Sequence, residues 1–297
     1  MDTPRLRCVF LGYLWKVARA IREAPRADLL ACGIEPQRMR TSDAIRYFDD
    51  ARIPHFDAGR PSPPELQALL EGGIDLLVVG AFGRILPVEV FTRARLGTIN
   101  VHASLLPAYR GGCPIEEQIL AGETQGGVTL HWMTEDVDGG PILAAQAFPI
   151  SSDDAYADVF ERCHTYAEAL LAEKLREEPS RWPRTPQATT TPVRKPRTMS
   201  DDVVNWYAPA LDIKRLVQAD GWRGWVRTSL PQGDLVMEQV AIADAGDPPT
   251  GVAPGRVLVA GDAPVIQTGH GSIRLLKATF PRPLVSGEQL PSGPASS

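Results

Sequence analysis

Short apolar runs that alternate with helix-length amphipathic stretches constrain the fold of this chain more than any other feature. Arg7–Gly12, Ile74–Gly80 and Gly97–Val101 are nearly continuous apolar runs, and Leu14–Glu23 has helical periodicity. Continuous apolar runs are typical of strands that are covered on both faces. The pattern predicts βαβ units over residues 1–180, that is, an α/β domain with a Rossmann-like, mostly parallel sheet and helices on both faces.

The second half of the chain differs from the first in composition and in hydrophobic pattern. Pro179–Arg197 is rich in Pro, Thr and Arg and has no periodicity, so we expect a linker over residues 181–200. A helical stretch, Ala210–Asp220, precedes five short β-like runs: Trp225–Leu230, Leu235–Ala243, Gly255–Val259, Val265–Thr268 and Ser272–Ala278. This pattern predicts a small, OB-like β-barrel domain over residues 201–297.

Charge and cysteine content exclude several classes of protein. The 297 residues include 31 Lys and Arg against 36 Asp and Glu, and the net charge of −5 gives no support to a general nucleic-acid binder. No apolar run approaches the roughly 18 residues needed to cross a bilayer. We expect a cytoplasmic protein without a disulfide framework or structural zinc, because no C-x-x-C joins the four scattered cysteines, Cys8, Cys32, Cys113 and Cys163.

Motifs for nucleotide chemistry are absent from the sequence. Gly12 at the end of the first predicted strand is followed by Tyr13, Leu14 and Trp15, so the G-x-G-x-x-G fingerprint is missing. There is also no Walker loop, H-E-x-x-H or G-x-S-x-G. The sequence therefore disfavours nucleotide-driven chemistry.

Three polar residues form the strongest candidate for a reactive site. Asn100 and His102 lie two residues apart at the carboxyl end of a predicted strand, and Asp138 lies in an acidic loop after the next strand. We expect them to meet at one edge of the sheet, where ligands bind in open parallel sheets. This set of groups suits acyl transfer to an amine. The amide can donate to an oxyanion, the imidazole can accept a proton, and the carboxylate can orient the imidazole.

Other interpretations of these residues remain open. An Asn and a His at a strand end also serve as ordinary turn residues, and Asp138 before two glycines suits a turn. His102, His131, Asp136 and Asp138 offer metal-binding atoms, but they lack a compact ligand spacing. A ligand-binding protein without catalysis and a metal-assisted hydrolase are therefore the alternatives to an acyl-transfer enzyme.

A long ordered pattern resembles the signature of the folate-dependent formyltransferases. It consists of Asn100-Val-His102-Ala-Ser-Leu-Leu-Pro107-Ala-Tyr-Arg110-Gly111-Gly-Cys-Pro114, then Gly127–His131 and Asp136-Val-Asp138-Gly-Gly. The resemblance implies an enzyme that moves a formyl group from 10-formyltetrahydrofolate to an amine and needs no metal. It also implies that Asn100, His102 and Asp138 are the catalytic triad.

The resemblance further implies two sets of binding residues. The loop Ala81–Pro87 matches the one whose backbone holds the pterin, and the acidic loop closes over the same ring. The implied folate-binding residues are Phe82, Gly83, Arg84, Ile85, Leu86, Glu135, Asp136 and Val137. The implied contacts with the acceptor amine are Ser104, Tyr109, Arg110 and Gly111.

The C-terminal half resembles two branches of this family. Arg197–Trp206 and Ile213–Trp225 are similar to the second domain of methionyl-tRNA formyltransferases and of amino-sugar-nucleotide formyltransferases. Residues 201–297 hold eight basic against ten acidic side chains, a poor surface for tRNA phosphates. We therefore expect an amino-sugar nucleotide, amino acid or natural-product amine as acceptor, with methionyl-tRNA as the alternative. The sequence leaves a homodimer open.

Overall fold

A computed structural model describes residues 5–36, 41–60, 62–188, 191–243 and 251–293 of the chain. The expected turn over residues 245–251 falls outside these ranges except for Gly251, as do residues 294–297 of the C-terminal end. The chain forms two compact units. The first contains Met1–Pro114, Gln125–Pro149 and Phe160–Arg194, and the second contains Ile115–Thr124, Ile150–Val159 and Lys195–Ser297, each in its described part.

Seven strands form the sheet of the first unit: β1 (Leu6–Gly12), β2 (Ala27–Ile34), β3 (His55–Asp57), β4 (Leu76–Gly80), β5 (Gly97–His102), β6 (Gln125–Trp132) and β7 (Ile142–Pro149). Six helices accompany them along the chain: α1 (Trp15–Glu23), α2 (Thr41–Asp50), α3 (Pro64–Glu71), α4 (Val88–Phe91), α5 (Pro114–Ala121) and α6 (Tyr156–Lys174). The strand order is β3-β2-β1-β4-β5-β6-β7. The first five strands are parallel, and β6 and β7 run antiparallel to their neighbours.

The predicted Rossmann-like α/β architecture is confirmed. Every residue of β4 is buried, which explains its continuous apolar sequence. Val9 and Leu11 of β1 pack with Leu77 and Val79 of β4 in one apolar cluster under the sheet. Two strands were not predicted from the sequence: β3, which has only three residues, and β7, whose apolar residues are interrupted by Gln146 and are mostly not fully buried.

The second unit contains the predicted helix and a five-stranded antiparallel sheet that curls into a half-barrel. Its elements are α7 (Ala210–Asp220), β8 (Arg227–Leu230), β9 (Gly233–Ile242), β10 (Val257–Val259), β11 (Val265–Gln267) and β12 (Ser272–Thr279). The strand order is β10-β11-β12-β9-β8. Trp206 is fully buried at the centre of its apolar core, where its indole N–H donates to Thr228 Oγ1 at 3.3 Å.

The segment predicted as a linker makes specific main-chain contacts with the first unit. A short 3-10 turn, Pro179–Arg181, is followed by isolated pairings of Thr185 with Ile142 and of Arg194 with Gly111. The Arg184 guanidinium lies 3.7 Å from the centre of the Trp132 ring. These contacts involve the described residues 184, 185 and 194 of the segment, and its role as a linker between domains stays a prediction.

At the start of α1, the position where dinucleotide-binding folds hold a phosphate, a side chain occupies a main-chain donor. The Lys16 N–H, which would face a phosphate in a dinucleotide site, donates to His164 Nε2 at 2.9 Å. Burial lowers the pKa of His164 to about 4, so its ring stays a neutral acceptor at pH 7. None of the helices in the described ranges is long and apolar enough to cross a membrane.

Candidate active site

Three polar side chains share one face of the β5–β6 pair. Asn100 and His102 alternate with Val101 along β5 and therefore project to the same side of the sheet. The antiparallel register places His131 of β6 directly opposite Asn100. Both imidazoles are almost fully buried, with His102 only 5% exposed. Two strands thus bring an amide and two imidazoles together.

The carboxylate of Asp138 completes this group. Its Oδ1 accepts a hydrogen bond from Asn100 Nδ2 at 3.2 Å and lies 3.4 Å from His131 Nε2. Its Oδ2 accepts the Gly111 N–H at 2.8 Å and lies 3.5 Å from His102 Nδ1. The structure therefore brings Asn100, His102 and Asp138 together beside the carboxyl end of β5, and their catalytic role stays a prediction.

Electrostatics keeps the carboxylate charged and the His102 imidazole neutral. Burial by itself raises the pKa of Asp138, but the facing imidazoles of His131 and His102 and the Gly111 N–H outweigh it and hold the pKa at about 2. Burial lowers the pKa of His102 more strongly than Asp138 and the Tyr109 carbonyl raise it. The pair at neutral pH is a carboxylate beside an uncharged imidazole.

The tautomer of His102 follows from its contacts. Its Nε2 lies 2.8 Å from the carbonyl oxygen of Tyr109, which can only accept a hydrogen bond. The single N–H of the neutral ring therefore belongs on Nε2. The lone pair of Nδ1 then faces Asp138 Oδ2, so a proton that reaches Nδ1 is held by the carboxylate. The arrangement can accept one proton at a defined atom.

The residues expected to contact an acceptor lie in the loop after β5. The Arg110 side chain is buried: its Nε donates to the Val137 carbonyl at 2.9 Å, and its guanidinium pairs with Asp136 at 2.5 Å. Ser104 is also buried, and its hydroxyl donates to the Ala108 carbonyl at 2.6 Å. Arg110 and Ser104 therefore support the loops in this structure, and their expected contact with an acceptor stays a prediction.

The loop Ala81–Pro87 is anchored near its middle by Glu35. Glu35 Oε2 accepts the Gly83 N–H at 2.6 Å, and its Oε1 lies 3.3 Å from Arg84 Nε. Leu86 packs into the core, while Ile85 is 82% exposed. Phe82 is half-buried. Beside Gly83 and Arg84 lies a cavity of about 840 Å³. The loop therefore exposes the apolar side chain of Ile85, and its Gly83 and Arg84 line the cavity.

The acidic loop after β6, residues 135–138, also exposes polar and apolar side chains. Glu135, Asp136 and Val137 are exposed, and Asp136 and Val137 are held by Arg110 as described above. Asp138 adopts the left-handed conformation with φ of 51°. Within the described ranges, no three His, Cys, Asp or Glu side chains are grouped to hold a metal ion.

Two residues of the site carried little signal in the sequence. The place of His131 opposite Asn100 depends on the antiparallel register of β6, which the sequence does not reveal. Gln187 lies in the Pro- and Thr-rich segment and donates from Nε2 to the carbonyls of Asp138 and Gly140, both at 2.8 Å. No motif marks Gln187, and only the folded path of that segment brings it to the site.

Comparisons with known proteins show which proteins this chain resembles. The sequence profile of the family described as Formyl transferase matches residues 31–175. The methionyl-tRNA formyltransferase of Symbiobacterium thermophilum is 35% identical over 283 residues, which cover 90% of this chain and 86% of the relative.

Two solved structures share the fold at low sequence identity. HypX from Aquifex aeolicus, in complex with tetrahydrofolic acid, has a TM-score of 0.67 and 18% identity, and the match covers 92% of this chain and 44% of HypX. WlaRD, a sugar 3N-formyl transferase solved in the presence of dTDP and 5-N-formyl-THF, has a TM-score of 0.63 and 16% identity, with 92% and 98% covered.

Proposed function

Because this chain belongs to the folate-dependent formyltransferase family, we propose that it transfers the formyl group of 10-formyltetrahydrofolate to a primary amine of a small molecule. The observation that carries the proposal is the position of Asp138, whose carboxylate bonds to the Asn100 amide and faces the His102 imidazole. An amide donor, a neutral base and a charged carboxylate on one face are what formyl transfer to an amine requires.

Asn100 and His102 have separate tasks in the proposed reaction. Asn100 exchanges its 3.2 Å bond to Asp138 for the formyl oxygen and stabilises the negative charge that develops there as the amine attacks. His102 takes the proton of the attacking nitrogen on Nδ1, and Asp138 Oδ2 stabilises the resulting imidazolium. The bond from the formyl carbon to N10 of the folate then breaks while the imidazolium returns this proton to N10, which gives a formamide and tetrahydrofolate.

The two loops suit a flat, polar aromatic ring such as a pterin. Ile85 and Val137 are apolar side chains left exposed, at 82% and 39%, and a bound ring would remove them from water. The backbone from Phe82 to Leu86 offers donors and acceptors to the edge of the ring. In this proposal Glu135, Asp136 and Val137 contact the same ring, and no metal takes part.

The charges of the second unit support a small acceptor over tRNA. Six of its eight basic side chains beyond residue 200 pair with carboxylates of the same unit: Lys214, Arg215, Arg223, Arg227, Lys277 and Arg282. Binding of a nucleic acid gains most of its affinity from cations that neutralise phosphates. Cations already paired with carboxylates contribute less to such binding, which favours a small amine.

Methionyl-tRNA is the second candidate acceptor. The observation in its favour is the 35% identity to a methionyl-tRNA formyltransferase over 90% of this chain. Under this alternative the chemistry at Asn100, His102 and Asp138 is unchanged, and only the surface that binds the acceptor differs.

Release of tetrahydrofolate from 10-formyltetrahydrofolate, followed by absorbance, tests the proposal. The acceptors are a panel of amino-sugar nucleotides, amino acids and charged initiator tRNA. We expect turnover with a member of the first two classes, loss of turnover in His102→Gln and full turnover in His55→Gln, a control on the exposed end of β3. Turnover with tRNA alone would reverse the choice of acceptor, and unchanged turnover in His102→Gln would reject the mechanism.

A further inference from the structure

The segment of residues 185–194, here called the clamp segment and described at 185–188 and 191–194, contacts the turn that carries Asp138. Its Gln187 directs Nε2 at two main-chain carbonyls, those of Asp138 and Gly140, each at 2.8 Å. Both acceptors are carbonyl oxygens, so the amide of Gln187 must present its N–H groups to them. One side chain therefore ties together both sides of the turn.

The same segment also holds the loop on the other side of the carboxylate. The Arg194 N–H donates to the Arg110 carbonyl at 2.8 Å, and the Gly112 N–H donates to the Arg194 carbonyl at 3.0 Å. These two bonds frame Gly111, whose own N–H donates to Asp138 Oδ2. The clamp segment thus acts on Asp138 in two ways. Gln187 binds the main-chain carbonyl of Asp138, and Arg194 holds the residues that flank Gly111, the donor to the Asp138 carboxylate.

The contacts of Gln187 act on the conformation of the turn at Asp138. Asp138 has a φ of 51°, in the left-handed region that is uncommon for residues with a Cβ, although Asp adopts it more readily than most. The Gln187 amide bonds the carbonyl of this same residue, so it acts directly on the conformation that aims the carboxylate. Gln187 Oε1 is buried and has no hydrogen-bond partner in the described part of the chain, so the two donated bonds alone orient the amide.

We propose that Gln187 is a positioning residue, which acts through the main chain of Asp138 to hold the carboxylate between Asn100 and His102. The role rests on the proposed function, since the carboxylate that Gln187 holds is the one that orients the imidazole. It also gives a function to a segment that the sequence predicts only as a linker.

Substitution of Gln187 by Glu and by Met tests the proposal. Glu is isosteric but turns an acceptor toward the two carbonyls, while Met removes the donors without adding charge. We expect kcat to fall about 100-fold in Gln187→Glu and less in Gln187→Met, because a misplaced catalytic group costs this much, with little change in KM for the folate. Gln146→Glu is the matched control, since this exposed glutamine of β7 donates to the adjacent Ala147 carbonyl and does not contact the turn of Asp138 in the described ranges.

A double-mutant cycle separates positioning from a general structural effect. In an Asp138→Ala background, Gln187→Glu should cause no further loss of kcat, because the group that it positions is gone. A further loss of similar size would overturn the proposal. If Gln187→Glu does not fold, Gln187→Met is used in the same cycle with the same criterion.

An NMR measurement keeps the test independent of turnover. With ¹⁵N-labelled histidine, the imidazole signals of His102 are assigned from His102→Gln. Asp138→Asn should shift them, and Gln187→Met should shift them in the same direction, while Gln146→Glu leaves them in place. Unchanged His102 signals in Gln187→Met would reject the positioning role even if wild-type turnover is absent. Absent wild-type turnover with shifted signals would reject the proposed function alone.

Discussion

The N–H of Gly111 donates a hydrogen bond to Oδ2 of Asp138 at 2.8 Å, across 27 positions of sequence. Gly111 has a φ of 96°, and a Cβ there would lie 2.3 Å from the Arg194 carbonyl oxygen. Only glycine fits between the clamp segment and the carboxylate. The donor is therefore placed by main-chain geometry.

Gly111→Ala should reduce both stability and turnover. The new Cβ combines a strained φ with a clash against backbone, so we expect a loss of about 2–4 kcal/mol in the free energy of unfolding by urea titration. Gly73→Ala is the control for backbone strain alone, because Gly73 also has a positive φ, 76°, but nothing lies within 4 Å of its Cβ position. Equal losses in the two variants would contradict the close packing at Gly111.

Asp138→Asn should lower kcat/KM by about 10²–10⁴-fold while the fold is retained. The amide keeps the shape of the side chain but removes the charge that stabilises a protonated His102. Steady-state rates and circular dichroism check the two expectations. Asp43→Asn, on the exposed face of α2, should change neither quantity.

The pH profile of kcat/KM should remain flat to below pH 6.5 on its acid side. Burial lowers the pKa of His102 from its ordinary value near 6.5, so the neutral imidazole that accepts the proton persists to lower pH. Asp138, with a pKa of about 2, stays ionised throughout this range. An acid limb centred above pH 6.5 would contradict a buried neutral base at this position.

His164 should make the protein less stable as the pH falls from 6.5 toward 4. Its pKa is about 4 when folded and near 6.5 when unfolded, so the unfolded chain gains a proton first and the free energy of unfolding decreases. The full effect is about 3 kcal/mol. Urea midpoints between pH 7 and 4 should fall less steeply in His164→Gln than in wild type, while His55→Gln should retain the wild-type slope.

Arg223→Met should destabilise the second unit by roughly 3–5 kcal/mol. Arg223 pairs with Glu116 and with Asp220 Oδ1 at 2.8 Å, and all three side chains are largely buried. Burial raises the pKa of Glu116 to about 7 despite the adjacent guanidinium, so its charge depends on that partner. Thermal unfolding should show the loss, and Arg274→Met, an exposed arginine of β12, should show little.

The pairing of Glu116 is a contact that the sequence does not reveal. The structure buries Glu116, with 3% exposure, against Arg223. Glu116 and Arg223 lie 107 positions apart in the sequence, so no local pattern predicts their pairing.

Local patterns were enough to predict β1, β4 and β5, because buried parallel strands have continuous apolar sequences. Local patterns left several interpretations open for Asn100, His102 and Asp138, which only the resemblance to a known family singled out as a catalytic triad. They could not place His131, because its role depends on the pairing of β6 with β5. They could not find Gln187 either, since a side chain that binds main-chain carbonyls needs no particular neighbours in sequence.

The course of the clamp segment also sets when the site can form during synthesis. All the strands of the first unit and the long helix α6 are complete by residue 174, yet Gln187 and Arg194 follow only later. A nascent chain that has emerged as far as residue 180 therefore has its sheet but not the contacts that fix Asp138. Catalytic competence should arise late, within about fifteen further amino acids of translation.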